Sequence, residues 1–91
     1  MSNHHSVPRV DIRGNQLAKN LGRRLRYLRA QTGLTQLELG RKASMDRAYI
    51  SRLERGRILP RYAALVRLAN SLGVSVAVIV EQTPARSTNR M

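Results

Sequence analysis

Residues 35 to 56, Thr-Gln-Leu-Glu-Leu-Gly-Arg-Lys-Ala-Ser-Met-Asp-Arg-Ala-Tyr-Ile-Ser-Arg-Leu-Glu-Arg-Gly, constrain the fold more than any other stretch, because they encode two short helices with only a tight turn between them. Thr35 is a hydroxyl N-cap with Glu38 three residues on, a spacing that lets each side chain satisfy the other's backbone donor. The first helix is predicted to run from there to about Ala43. Asp46 announces the second, since its carboxylate accepts from first-turn amides and suits the positive end of the helix dipole. That helix is predicted to reach about Arg55, with Gly56 closing it. Leu39 and Ala43 on the first helix, and Ile50 and Leu53 on the second, recur at i, i+4 and i, i+3, so each helix has one narrow apolar face. Two such helices cannot stand alone; the rest of the chain must cover them.

The flanking sequence supplies the cover. From Asn15, a plausible N-cap, Leu17, Leu21, Leu25 and Leu28 form one stripe of an amphipathic helix ending near Thr32 and Gly33. Arg57-Ile58-Leu59 reads as a loop, with Pro60 suited to the first position of the next helix. Tyr62, Leu65, Leu68, Ala69 and Leu72 mark that helix, Gly73 ends it, and Val74 is expected to pack back into the core. Ser75 then caps a last short helix, Val76-Ala77-Val78-Ile79-Val80, with an edge strand as the alternative for so β-branched a run. The expected fold is therefore all-α: a compact five-helix domain over residues 14–81. Residues 1–13 read as a flexible arm and residues 82–91 as a disordered tail.

Composition narrows the function. The chain has 91 residues, no Trp, no Phe and three Tyr, so its core must be aliphatic and near the lower limit of self-sufficient size. Without cysteine there is no disulfide and no thiolate metal site, and a reducing, cytoplasmic setting is expected. No apolar run approaches the roughly 20 residues a membrane span requires, and the N-terminal stretch lacks a signal peptide's apolar core. Lys and Arg number 17 against five acids, a formal net charge of +12. Thirteen of those cations and four of the acids fall within 14–81, so the excess belongs to the folded part. Such a balance favours a polyanionic partner.

Here the sequence resembles the helix-turn-helix of the phage Cro and repressor family, and within it the small controller proteins of restriction-modification systems. The resemblance covers about residues 21–80. It rests on Leu-Arg-Tyr-Leu-Arg at 25–29, Gly-Leu-Thr-Gln at 33–36, Asp-Arg-Ala-Tyr-Ile-Ser-Arg-Leu-Glu-Arg-Gly at 46–56, Pro60, and Leu-Ala-Asn-Ser-Leu-Gly-Val at 68–74. It departs from the family pattern at Gly40, where Ala is usual, and at Ser44, where the turn usually has Gly. The resemblance implies that Arg29 pairs with Glu54 and so braces the second helix. It also implies that this helix enters the major groove of double-stranded DNA.

On that helix, Arg47 and Arg52 have the fork of donors that guanine O6 and N7 accept, Arg47 being the better placed at the tip. Ala48 suits a thymine methyl. Tyr49 adjoins buried Ile50 and either closes the core or contacts a base or phosphate. Gln36, at the start of the first motif helix, is a phosphate candidate, as are Arg55 and Arg57 and, as a minor contact, Ser51. In the last helix, Val76 and Ile79 suffice for the monomer's core. Ala77, Val78 and Val80 add apolar surface that one small core cannot hide, so Val76, Ala77, Val78 and Val80 are expected at a homodimer interface.

No catalytic constellation appears: there is no Cys, and the two His, His4 and His5, are adjacent in the arm. A non-enzyme without cofactor, metal or small-molecule ligand is expected. The leading reading is a sequence-specific transcriptional regulator, repressor or activator, binding a palindromic operator as a homodimer. One alternative is an antitoxin-like protein whose apolar C-terminal helix holds a different protein, with DNA binding secondary. Another is a sequence-indifferent nucleic-acid binder, which the scarcity of aromatic stacking platforms disfavours.

Overall fold

The computed structural model describes the backbone of residues 6–81 and the side-chain surroundings of residues 15–81. The expectations for His4 and His5 and for the 82–91 tail lie outside these, as do the side chains of Arg9 and Arg13. Five helices follow one another: α1 (Ser6–Thr32), α2 (Gln36–Ala43), α3 (Arg47–Glu54), α4 (Tyr62–Leu72) and α5 (Val76–Val80). There is no strand among the described residues, and the Val76–Val80 run is helical.

The caps of α2, α3 and α5 follow from their sequences. Thr35 Oγ1 accepts from the Glu38 N–H at 3.0 Å while the Glu38 carboxylate accepts from the Thr35 N–H at 2.8 Å. Asp46 accepts from the Tyr49 N–H at 2.7 Å, and Ser75 from the Val78 N–H at 3.3 Å. Each contact satisfies a backbone donor that the helix itself leaves orphaned.

Three local expectations are corrected. α1 begins at Ser6 rather than after Asn15, so Asn15 is interior and residues 6–13, expected as an arm, have helical backbone. Pro8 falls in the first turn, where its missing N–H removes no intrahelical bond, and extending an already packed helix adds one bond per residue. Leu17 is exposed, and the buried apolar side chains among the described positions of α1 are Ala18, Leu21 and Leu25. At the other end of the motif, Pro60 is not the first helical residue: extended Arg61 intervenes as the N-cap of α4, without a side-chain cap bond. Tyr62 consequently points outward at 70% exposure, and Ala64 takes the buried place.

The core joins all five helices. Leu21, Leu25, Leu39, Ala43, Ile50, Leu53, Leu68, Ala69, Leu72 and Ile79 form one buried cluster, with Leu28, Leu34, Met45, Ile58, Leu65, Val74 and Val76 packed on it. α3 lies against both α1 and α2, while α4 and α5 cover α2 and α1 from the far side. The helix that the sequence marks as a reader is thus held from behind, and its charged face is left to solvent.

Candidate nucleic-acid interface

The turn between α2 and α3 sets the angle of the candidate reading helix. Ser44 adopts the left-handed conformation, φ 61 and ψ 46. The Met45 N–H then donates to the Gly40 carbonyl at 2.7 Å. A Cβ on Gly40 would fall 2.5 Å from the Met45 carbonyl oxygen, so this turn folds back onto α2 more closely than alanine permits. Arg67 of α4 donates its Nε hydrogen to the Ala43 carbonyl at 2.9 Å, satisfying an orphan acceptor at the end of α2.

At the other end of α3, the Gly56 N–H donates to Leu53 O and the Arg57 N–H to Arg52 O, both at 3.0 Å. α1 crosses directly behind this end. A Cβ on Gly22 would collide with the Leu53 carbonyl oxygen and lie 2.7 Å from that of Glu54. Only a glycine there allows the approach. Ala18, one turn earlier, is on the same face of α1 and is also buried. Gly22 is not among the residues that motif and spacing single out; its signal is a glycine inside a strongly patterned helix, which is costly unless close packing uses it.

A chain of hydrogen bonds then links α1, α2 and both ends of α3. Arg29 donates from Nε to Glu54 Oε2 at 2.6 Å and from Nη2 to Oε1 at 3.0 Å, a bidentate pair. Its Nη1 donates to Leu34 O at 2.9 Å, tying in the loop before α2. The side chains are only 16% and 3% exposed, so loss of either partner would strand a buried charge, at a cost of about 3–5 kcal/mol. The hydrogen bond to Glu54 holds the Arg29 guanidinium above its ordinary pKa, more than offsetting the opposing effect of burial, with charge attraction to Glu54 adding to it. Glu54 Oε1 also accepts from Gln36 Nε2 at 3.0 Å, and Gln36 Oε1 accepts from Arg47 Nη1 at 3.1 Å.

Gln36, considered from the sequence only as a phosphate contact, is therefore a bridge between the brace and the tip of α3. Arg47, Ala48 and Arg52 are exposed, Ser51 is half-buried, and Arg55 and Arg57 are exposed past the helix end. Tyr49 is half-buried and packs on the core cluster, and with Arg52 it lines a shallow groove beside Met45, Ala64 and Arg67. In α5, Ile79 is fully buried and Val76 is partly so, whereas Ala77 is exposed, Val78 is half-buried and Val80 is 37% exposed. No group of three or more acidic or His side chains gathers among the described residues, and no described helix is long and apolar enough to cross a membrane.

A family model described as a helix-turn-helix domain matches residues 20–81. The immunity repressor protein of Bacillus phage phi105 is 37% identical over 60 residues, which are 66% of this chain and 42% of that protein. An uncharacterized HTH-type transcriptional regulator of Sinorhizobium fredii, y4dJ, is 39% identical over 67 residues, 74% of this chain and 87% of that one. Among solved structures, the restriction-modification controller protein C.AhdI from Aeromonas hydrophila superimposes with a TM-score of 0.70 at 29% identity, covering 71% of this chain and 94% of its own. The clp gene regulator ClgR from Corynebacterium glutamicum gives 0.68 at 38% identity, covering 70% and 68%. The chain thus spans less than half of the phage repressor, and all four names are those of regulators rather than enzymes.

Proposed function

The chain belongs to the helix-turn-helix family of transcriptional regulators of the Cro and phage-repressor type, and on that premise we propose that it binds a palindromic DNA operator as a homodimer. α3 enters the major groove. Arg47 and Arg52 take guanine edges, Ala48 meets a thymine methyl and Tyr49 reaches a base or phosphate from the rim of the core. Gln36, Ser51, Arg55 and Arg57 hold phosphates on either side of the groove. Val76, Ala77, Val78 and Val80 cover one another across a two-fold axis, which places two copies of α3 in successive grooves about 10 base pairs apart.

The observation that carries this reading is the bonded chain from Arg29 through Glu54 and Gln36 to Arg47. It ties the exposed guanidinium at the tip of α3 to the body of the domain. A tethered arginine presents its donors in one direction and loses less rotamer freedom on binding than a free one. Repression or activation then depends on where the operator lies relative to the promoter.

Selection from random duplex DNA near physiological salt tests the proposal. A palindrome with guanine at a fixed place in each half is the expected product; recovery of unrelated sequences would overturn it.

A further inference from the structure

Lys19 belongs to α1, outside the two helices of the motif. Yet it lies against the end of α3: a Cβ built on Gly56 would fall 2.8 Å from the Lys19 Cα and 2.9 Å from its Cγ. The aliphatic stem of Lys19 therefore crosses the backbone of Gly56, the residue between Arg55 and Arg57. Gly56 is required there twice over, by its φ of 73 and by that contact. Lys19, Arg55 and Arg57 are all exposed.

None of these cations is in an ion pair with another described residue. The ion pairs among the described residues are Arg24 with Glu81 and Arg29 with Glu54. The negative end of the α3 dipole attracts cations in general. Here, however, the Leu53 and Arg52 carbonyls are already taken by the Gly56 and Arg57 N–H groups, and the Lys19 ammonium has no hydrogen-bond partner among the described residues. Three cationic residues from two separate elements thus meet at one glycine, two as its chain neighbours and one packed against it, with no ion pair to an acid among the described residues. Exposed cations without an acid partner are open to an anion, and these sit at the margin of the helix proposed to enter the groove.

We propose that Lys19, Arg55 and Arg57 form a single phosphate clamp, so that α1 carries the DNA footprint beyond the helix-turn-helix. The proposal rests on the DNA-binding reading above. Lys19 contributes a point charge to the sugar-phosphate backbone flanking the half-site and no sequence information.

The test compares the full-length wild type, Lys19→Gln, Lys19→Arg and Lys42→Ala on a random-sequence duplex several helical turns long, with affinity measured across a salt series. Lys19→Gln keeps the stem over Gly56 and removes only the charge; circular dichroism checks that each variant is folded. The slope of log affinity against log salt is expected to flatten by about 0.9 per monomer in Lys19→Gln and to recover in Lys19→Arg. Lys42→Ala, which removes the same charge from the far end of α2, is expected to keep the wild-type slope. An unchanged slope in Lys19→Gln, or an equal flattening in Lys42→Ala, would overturn the clamp while leaving DNA binding intact. Absence of wild-type binding would overturn the DNA-binding reading itself.

Discussion

Ser44 is the one described residue other than glycine with positive φ, and the neighbouring Gly40 is the one place in α2 where a side chain has no room. The two positions lead to opposite predictions. A Cβ in the left-handed region costs roughly 1–2 kcal/mol, and the greater freedom of glycine in the unfolded chain returns about half of that. Ser44→Gly is therefore expected to raise stability by about 0.5–1 kcal/mol, read as a rise of several degrees in melting temperature. At Gly40 the intrinsic preference of helices for alanine does not decide the outcome, because the added carbon meets the Met45 carbonyl. On the proposed DNA-binding reading, Arg47 is the residue that carries specificity. Arg47→Ala is expected to weaken operator binding by about 1–3 kcal/mol and to relax preference at one base pair per half-site. An equal loss on random DNA would make it a phosphate contact instead.

At the scale of elements, the crossing of α1 over α3 governs where α3 points. Gly22→Ala gains up to about 1 kcal/mol of helix propensity but forces two backbones apart, and overpacking of this kind costs about 1–3 kcal/mol. Net destabilisation is expected in a denaturant melt, with a rise in stability counting against so close a crossing. The brace reinforces the same geometry and does not release it within the ordinary pH range. Because its folded pKa is raised, Arg29 contributes stability that is complete below its unfolded value and lost only as pH climbs through the folded one, far into alkali. By contrast, the ion pair of Arg24 with Glu81, 30% and 66% exposed at 3.3 Å, adds little beyond orienting the end of α5.

For the molecule as a whole, exposed apolar side chains are spread over several elements, and the run that bears on assembly is α5. Ile79 is fully buried and Val76 packs on the core, whereas Ala77 and Val80 are exposed and Val78 is half-buried, and the proposed dimer would cover these three. Val78→Asp is expected to yield a folded monomer. A carboxylate trapped in an apolar interface without a partner costs several kcal/mol, yet costs little where water reaches it. The monomer must then bind one half-site at a time and loses the effective concentration that couples the two halves. Sedimentation decides, with circular dichroism as the folding check: a persistent dimer would place the interface elsewhere, and an unfolded variant would assign Val78 to the core.

How much of this was legible in the sequence depends on the range of the interaction. Thr35 with Glu38, Asp46, Ser75 and the closing glycines act on backbone groups a few residues away, so their spacing alone located α2, α3 and α5. Period alone marked the inward faces of α2 and α3. Where a helix turned out differently, a distant partner or plain continuity was responsible: Leu17 yields to Ala18 where α1 bears on α3, and α1 runs on past Asn15 because nothing there stops it. The approach at Gly22, the capping of α2 by Arg67, the bridge through Gln36 to Arg47 and the position of Lys19 over Gly56 join residues remote in sequence. Pattern within one helix is set by local backbone geometry and by which side is dry. Which residues meet across helices depends on crossing angle and separation, and those are decided only when all the faces pack at once.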